Sequence, residues 1–246
     1  MNEPLTYGSL FCGIGGMDLG FDRAGLVCKW QVEIDDYATR VLEKHWPNVN
    51  RQRDIRACGS ANLEHVDVIC GGPPCQPISV AGNKKASGDD RWLWSEYIRV
   101  VREIRPRFAV MENPPALLAY REFDAIVAEL AEIFSCVEGV CLPAEAFGAH
   151  FAGDRLFVIA SSSAAGCVRR KGCWSNQVGT NQWRRDEFER LVRVEMQHGI
   201  PTGKSGRISD GVSNRVHRLR GLGNAVVPQV AELIGRYIVA ASKNVA

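Results

Sequence analysis

The chain predicts an α/β fold, a mostly parallel sheet wrapped by helices. Three observations carry this. Apolar runs of strand length alternate with amphipathic runs of helix length through the first two-thirds of the 246 residues. A glycine-rich turn, Gly13-Ile14-Gly15-Gly16, joins the first strand-like run to the first helix-like one. A helical pattern returns near the end of the chain and needs the main domain to pack against.

Taken in order, residues 6–12 form a short apolar run ending in glycines, 17–24 read as a helix and 27–34 as a second strand. Residues 36–46 are amphipathic, with Tyr37, Val41, Leu42 and His45 or Trp46 near one face. A buried-strand pattern at 66–70 runs into Gly71-Gly72-Pro73-Pro74. Residues 93–104 read as helix, 107–111 as strand, 123–134 as helix and 156–160 as the last clear strand. Beyond residue 160 the alternation breaks down into a stretch rich in Gly, Ser, Asn, Trp and Arg, with one helix expected around 185–197. The α/β character returns after Gly221, with a helix expected over 226–240. The expected organisation is a catalytic and cofactor-binding domain over 1–160, a small unit over 161–206, and a segment over 207–246 that returns to complete the domain.

Composition narrows the function classes. With 46% hydrophobic and 24% charged residues, the chain is typical of a soluble globular protein. It contains no uninterrupted apolar run of about 18 residues, so no membrane span is expected. Met1-Asn2-Glu3-Pro4 lacks the basic-then-apolar layout of a secretory signal. Nine cysteines without close pairs read as reduced thiols of a cytoplasmic protein, and Cys167 and Cys173 are too isolated to suggest zinc. The net charge of +2 is unevenly spread. Residues 161–220 hold 12 Lys/Arg and 5 Asp/Glu, against 18 and 23 in the remainder. Such a basic segment suits phosphate binding, and a merely solvated charged loop is an equal reading from charge alone.

The turn from Phe11 to Gly16 is a candidate cofactor cradle, because glycines allow a sharp turn and a close approach of backbone to ligand. Glu33, at the end of the second strand, is placed to accept hydrogen bonds from a ribose. The dinucleotide spacing G-x-G-x-x-G is not met, since Asp18 follows the turn, which argues against NAD.

Gly71-Gly72-Pro73-Pro74-Cys75-Gln76-Pro77 is the most informative stretch. It follows a buried strand, so Cys75 is expected at the carboxyl edge of the sheet, where such folds bind ligands. Prolines fix the backbone around the thiol, a rigidity an ordinary core cysteine does not need. Met111-Glu112-Asn113-Pro114 ends the next strand. A thiolate and a carboxyl together suit attack on a pyrimidine, in which the thiolate adds to carbon 6 and the protonated carboxyl hydrogen-bonds ring nitrogen 3.

Phe11–Gly16, Gly72-Pro73-Pro74-Cys75-Gln76, Glu112-Asn113 and Arg218-Leu219-Arg220-Gly221-Leu222-Gly223-Asn224-Ala225-Val226-Val227-Pro228 together resemble the ordered motifs of DNA cytosine-5 methyltransferases, most closely the compact, phage-type members. The resemblance covers nearly the whole chain except about 161–206. It implies a Rossmann-like S-adenosylmethionine-dependent methyltransferase fold, with methyl transfer to carbon 5 of cytosine in double-stranded DNA after the base is flipped out. In that reading Cys75 is the nucleophile, Glu112 acts at nitrogen 3 and Arg155 holds the cytosine carbonyl. Phe11, Gly13, Gly15 and Gly16 cradle S-adenosyl-L-methionine, converted to S-adenosyl-L-homocysteine, and Glu33 meets its ribose. Asp54 and Ile55 frame the adenine, Pro74 and Leu93 line the pocket, and Asn224 and Val226 close it. No metal is required. The resemblance places a closing loop at 80–90, whose Lys84 and Lys85 read equally as phosphate contacts or as solvated charges.

The resemblance assigns target reading to 161–206, with Arg169, Arg170, Arg184 and Arg185 meeting DNA, and to Arg215 as organiser of that region. Its tryptophans read more readily as local core than as base-stacking groups. So small a unit implies a short target site. Where the family has Gln-x-Arg-x-Arg, this chain reads Phe151-Ala152-Gly153-Asp154-Arg155 and keeps only the last arginine. Glu112-Asn113-Pro114-Pro115 departs from the family's Glu-Asn-Val and shares Asn-Pro-Pro with amino-methyltransferases, but Ala116 stands where those carry a stacking aromatic. Two other readings are a catalytically silent DNA-binding relative and a tRNA cytosine-5 methyltransferase, although the Cys-Phe-Thr run of the latter is missing. The expectation is a monomeric enzyme in the cytoplasm of a bacterial or phage-infected cell, in a restriction–modification or viral protective setting.

Overall fold

The computed structural model describes residues 3–74, 93–147, 154–163 and 225–243. These form a seven-stranded sheet of order β3-β2-β1-β4-β5-β7-β6. The strands are β1 (Thr6–Leu10), β2 (Val27–Val32), β3 (Asn50–Gln52), β4 (Val68–Gly71), β5 (Phe108–Asn113), β6 (Cys136–Leu142) and β7 (Arg155–Ser161). The pairs β1–β2, β1–β4, β2–β3 and β4–β5 are parallel. β7 runs antiparallel to both of its neighbours, β5 and β6. The sheet is therefore mixed only at one side, as a mostly parallel expectation allows.

Among the described residues five helices cover it: α1 (Gly16–Arg23), α2 (Asp36–His45), α3 (Trp94–Ile104), α4 (Arg121–Ile133) and α5 (Pro228–Lys243). Alternation along each strand splits the core in two, because successive side chains point to opposite faces. On β7, Leu156, Val158 and Ala160 join the cluster formed with Trp94, Tyr97, Ile126 and Leu130 of α3 and α4. Phe157 and Ile159 join the cluster formed with Phe21, Val230, Ile234 and Ile238 of α1 and α5. A sheet buried on both faces reads as continuous apolar runs, which is why β4 and β5 were legible. Truncating a fully buried residue such as Ile69 or Ile234 to Ala costs about 2–5 kcal/mol by such transfer and cavity terms.

The helix ends follow local chemistry. Asp35 caps α2, its side chain accepting from the Ala38 amide at 2.9 Å. α1 starts from Gly15, held at φ 84°, a conformation with little steric penalty for glycine. α1 and α5 pack closely because their contact residues are small. A Cβ on Gly20 would lie 2.4 Å from the Ala231 Cβ, and one on Gly235 would lie 2.6 Å from that of Ala24.

Three expectations need correction. The buried face of α2 is Ala38, Thr39 and Leu42, while Tyr37 and Val41 are half-buried and His45 is exposed. The edge strands β3 and β6 were not anticipated. Cys12, Cys28, Cys58 and Cys70 are free thiols, but Cys136 is disulfide-bonded, against the expectation of reduced thiols throughout. It opens β6 opposite Ser161. Among the described residues no helix is long and apolar enough to cross a membrane.

Candidate active site

The carboxyl ends of β1, β2, β3, β4 and β5 open onto one edge of the sheet, and the start of the inverted β7 arrives at the same edge. The turn after β1 has three residues at positive φ, Phe11 (54°), Gly13 (55°) and Gly15 (84°). Phe11 is the unusual one, because a bulky side chain rarely occupies that region. A Cβ built on Gly13 would meet nothing within 4 Å, so the turn is open to a ligand there. At Gly16 a Cβ would come 2.2 Å from the Val226 carbonyl oxygen. The segment before α5 thus lies directly against the turn, and only glycine permits the approach.

Glu33 follows β2 and is buried. Its Oε2 accepts from the Gly13 amide at 2.7 Å and its Oε1 from the Asp35 amide at 2.8 Å. Each oxygen keeps a second lone pair for a ligand hydroxyl. Beside it, Ile34 is a large apolar side chain left 63% exposed. Asp54 caps a single 3-10 turn (Ile55–Ala57) by accepting from the Arg56 amide at 3.0 Å, and Ile55 is buried. Arg53 braces these two walls, donating to the Ile34 carbonyl and to Asp36, and to Thr39 Oγ1 at 2.7 Å. Phe11 and Leu93, both half-buried, pack against the same cluster as Ile55.

The second half of the edge carries Glu112 and Arg155. Glu112, one residue before the end of β5, is 9% exposed. Arg155 Nε lies 2.8 Å from Glu112 Oε1, an ionic contact without the alignment of a hydrogen bond. Burial pushes the Glu112 carboxyl up to about 7, and Arg155 opposes that rise. A carboxyl in this state can donate or accept a proton at neutral pH. A Cβ on Gly72 would lie 2.8 Å from Glu112 Oε2, so the carboxyl sits over the glycine that opens the Pro-Pro-Cys stretch. Asn113 Nδ2 reaches the Pro73 carbonyl at 3.4 Å and ties the two strand ends together.

The structure brings Phe11, Gly13, Gly15, Gly16, Glu33 and Val226 to one place, with Asp54, Ile55, Pro74 and Leu93 on elements opening to the same edge. Glu112 and Arg155 meet directly. Cys75, Lys84, Lys85, Phe151, Gly153, Arg169, Arg170, Arg184, Arg185, Arg215 and Asn224 lie outside the described residues, as does nearly all of the expected 161–206 unit. Sequence reading passed over Gly72 as a clearance for Glu112, and over Arg53, Asn113 and Asp18 as braces. Only Asn113 left a signal, as the residue after the predicted acid.

A family model described as C-5 cytosine-specific DNA methylase matches residues 5–204. The chain belongs to the C-5 cytosine-specific DNA methylase family. Among curated relatives of this methylase-family chain, the Type II methyltransferase M.FnuDI of Fusobacterium nucleatum is 40% identical over 119 residues, 48% of this chain and 35% of that protein. The Type II methyltransferase M.NgoPII of Neisseria gonorrhoeae is 33% identical over 169 residues, 64% of this chain and 50% of that protein. The match spans a third to a half of these relatives' length. In overall fold the chain is similar to a candidate DNA modification methyltransferase encoded within an E. coli prophage, with a TM-score of 0.66 at 19% identity covering 98% and 100% of the two chains. The Entamoeba histolytica methyltransferase EhMeth gives 0.64 at 13% identity, covering 97% and 99%. These likenesses establish a Rossmann-like methyltransferase fold.

Proposed function

We propose that the protein methylates carbon 5 of cytosine in double-stranded DNA, with S-adenosylmethionine as donor. The observation that carries this reading is the Glu112–Arg155 pair, whose buried carboxyl lies beside Gly72 at the head of the Pro73-Pro74-Cys75 stretch. The membership of the chain in the methylase family supports the choice of reaction, and the Type II methyltransferase names of its relatives support a restriction–modification setting.

The residues at the other half of the edge fit the cofactor. The turn is open at Gly13, Glu33 has lone pairs to spare for ribose hydroxyls, and Ile34 offers an apolar surface between Glu33 and Asp36. Phe11, Gly13, Gly15 and Gly16 would hold it from one side, Asp54, Ile55, Pro74 and Leu93 from the other, and Asn224 and Val226 would close the site. S-adenosylmethionine supplies an electrophilic methyl group there.

The protein's own groups do the rest. Cys75 as thiolate adds to carbon 6 of the flipped cytosine, forming the S–C bond. Glu112, protonated near neutral pH, donates to ring nitrogen 3 and takes up the negative charge that addition pushes onto the ring. Carbon 5 becomes the nucleophile. Once it carries the new methyl group, loss of its proton to a base re-forms the double bond and expels the thiolate. Arg155 orients the Glu112 carboxyl and meets the base carbonyl. Arg169, Arg170, Arg184, Arg185 and Arg215, with Lys84 and Lys85, supply the cationic surface for the DNA backbone and base edges.

Nucleoside mass spectrometry of DNA treated with the protein and S-adenosylmethionine tests this. The reading predicts 5-methylcytosine, lost in Cys75→Ser. Formation of an exocyclic methylated base, or no methylated base on DNA of varied sequence, would overturn it.

A further inference from the structure

Among the described residues, the reaction above leaves one fully buried carboxyl without a task. Asp18, in the first turn of α1, is 0% exposed. Its Oδ2 accepts from Ser9 Oγ at 3.1 Å and its Oδ1 from Gln31 Nε2 at 2.7 Å. Ser9 stands one residue before the end of β1 and Gln31 one before the end of β2. Three elements that converge on the Phe11–Gly16 turn therefore meet at one carboxylate. The amide is fixed from its other end, with Gln31 Oε1 accepting from Arg51 Nε at 3.1 Å and Nη2 at 2.8 Å. Arg51 Nη2 also donates to the Trp46 carbonyl at 2.9 Å, which extends the network across β3.

A charge at this depth is a poor choice for packing alone. Burial raises the Asp18 carboxyl to about 6 even though the hydrogen bonds from Gln31 and Ser9 lower it. A carboxyl whose native value is raised makes the fold less stable as pH climbs from its unfolded value through its folded one. The ionised form is kept at a cost in stability, and what it holds is a turn with three residues at positive φ. Ser9 and Asp18 bracket that turn, and Glu33, two residues beyond Gln31, holds its middle through the Gly13 amide.

We propose that Asp18 is a positioning residue for the cofactor turn: joined to Ser9 and Gln31, its carboxylate fixes both ends of Phe11–Gly16 and the placement of Glu33, and so sets the affinity for S-adenosylmethionine. The proposal rests on the reading that the cofactor binds at this turn. The ionisable neighbours are few. Asp22 lies one turn along α1, and Tyr7 on β1 donates to the Asp18 carbonyl at 3.1 Å and to Asp22 Oδ1 at 2.8 Å. Cys12, Cys28 and Cys70 face the cluster from the turn, β2 and β4; burial, and then Asp18, push their thiols up, as they do the Tyr7 hydroxyl. Arg51 acts through Gln31, and Glu33 through Gly13. On α5, packed against α1, Glu232 and Arg236 pair with each other at 2.6 Å. The thiols and the phenol stay neutral around pH 6, where Asp18 changes charge.

Calorimetric titration with S-adenosylmethionine, on the full chain between about pH 5.5 and 8, decides it, with thermal midpoints measured alongside. Asp18→Asn, close to isosteric, is expected to bind about tenfold more weakly at about pH 8, with an unchanged or higher midpoint because the buried charge is gone. Wild-type affinity falls as pH drops through about 6, and the Asn variant lacks that fall. Ser9→Ala, which keeps the carboxylate and loses one donor, is expected to bind about threefold more weakly. Wild-type affinity and pH profile in both variants would overturn the proposal, as would a weakening matched by a fall in midpoint. Absence of binding by the wild-type protein would instead remove the cofactor assignment on which the proposal stands.

Discussion

Arg155 Nε lies 2.8 Å from Glu112 Oε1, and this approach depends on strand direction. Because β7 is antiparallel to β5, with Asn113 opposite Leu156, its first residue sits at the edge where β5 ends. In a parallel β7 the same arginine would lie at the opposite end of the sheet. The carboxyl is thus caught between burial, which raises it, and a cation, which lowers it, and settles at about 7.

The first prediction concerns pH. In the proposed reaction, addition to the cytosine ring would use Glu112 in its acid form, so a contribution from that form is expected below about pH 7 and a decline above it. The same shift bears on stability. The native value lies above the ordinary 4.5, so stability from this group is present at low pH and is lost as pH rises through that window. Glu112→Gln is expected to slow single-turnover methylation roughly 10²-fold and to abolish the alkaline decline assigned to this group. A variant with wild-type rate and profile would remove Glu112 from the reaction.

Arg155→Ala leaves burial unopposed, so the Glu112 carboxyl should shift further up. Methyl transfer is expected to fall about 10²-fold through loss of a fixed charge at the base. Affinity for S-adenosylmethionine should stay within about twofold, since Glu33 is held by the Gly13 and Asp35 amides and not by the pair. Rates and calorimetry on one preparation separate these effects.

Gly72→Ala tests a clearance. The new Cβ would stand 2.8 Å from Glu112 Oε2, and the carboxyl must move to admit it. The expected result is a loss of kcat of about tenfold with a stability change of about 1 kcal/mol or less, checked by kinetics and urea unfolding.

Gly20→Ala tests the packing that brings α5 onto α1. Its Cβ would meet the Ala231 Cβ and the Pro228 carbonyl oxygen, both at 2.4 Å. Destabilisation of about 1–3 kcal/mol is expected by urea unfolding, with weaker cofactor binding because Val226 is drawn off Gly16.

Much of this was legible before any coordinates. β1, β2, β4, β5 and β7 are apolar runs because both faces of the sheet are covered, and the glycine turn and Glu112 follow directly from them. β3, with the polar residues Asn50, Arg51 and Gln52, and the partly exposed β6 are edge strands, and an edge lacks the apolar signal. The inversion of β7 leaves no mark on its composition; the resemblance gave Arg155 a role at the base, and its contact with Glu112 was not anticipated. Asp18 entered the sequence reading only as a break in the dinucleotide spacing, and only burial against Ser9 and Gln31 separates it from a solvated first-turn acid. Arg53 and Asn113 act through backbone carbonyls distant in sequence, a relationship no local pattern encodes.

Covalent attack by Cys75 separates the proposed cytosine-5 chemistry from every other methyl transfer considered above. The most direct measurement is trapping on double-stranded DNA containing 5-fluorocytosine in the presence of S-adenosylmethionine, read on a denaturing gel beside Cys75→Ser. Fluorine at carbon 5 cannot leave as a proton does, so the account predicts a stable protein–DNA band that the serine variant lacks. No such band from protein that binds both the cofactor and DNA of varied sequence would contradict it.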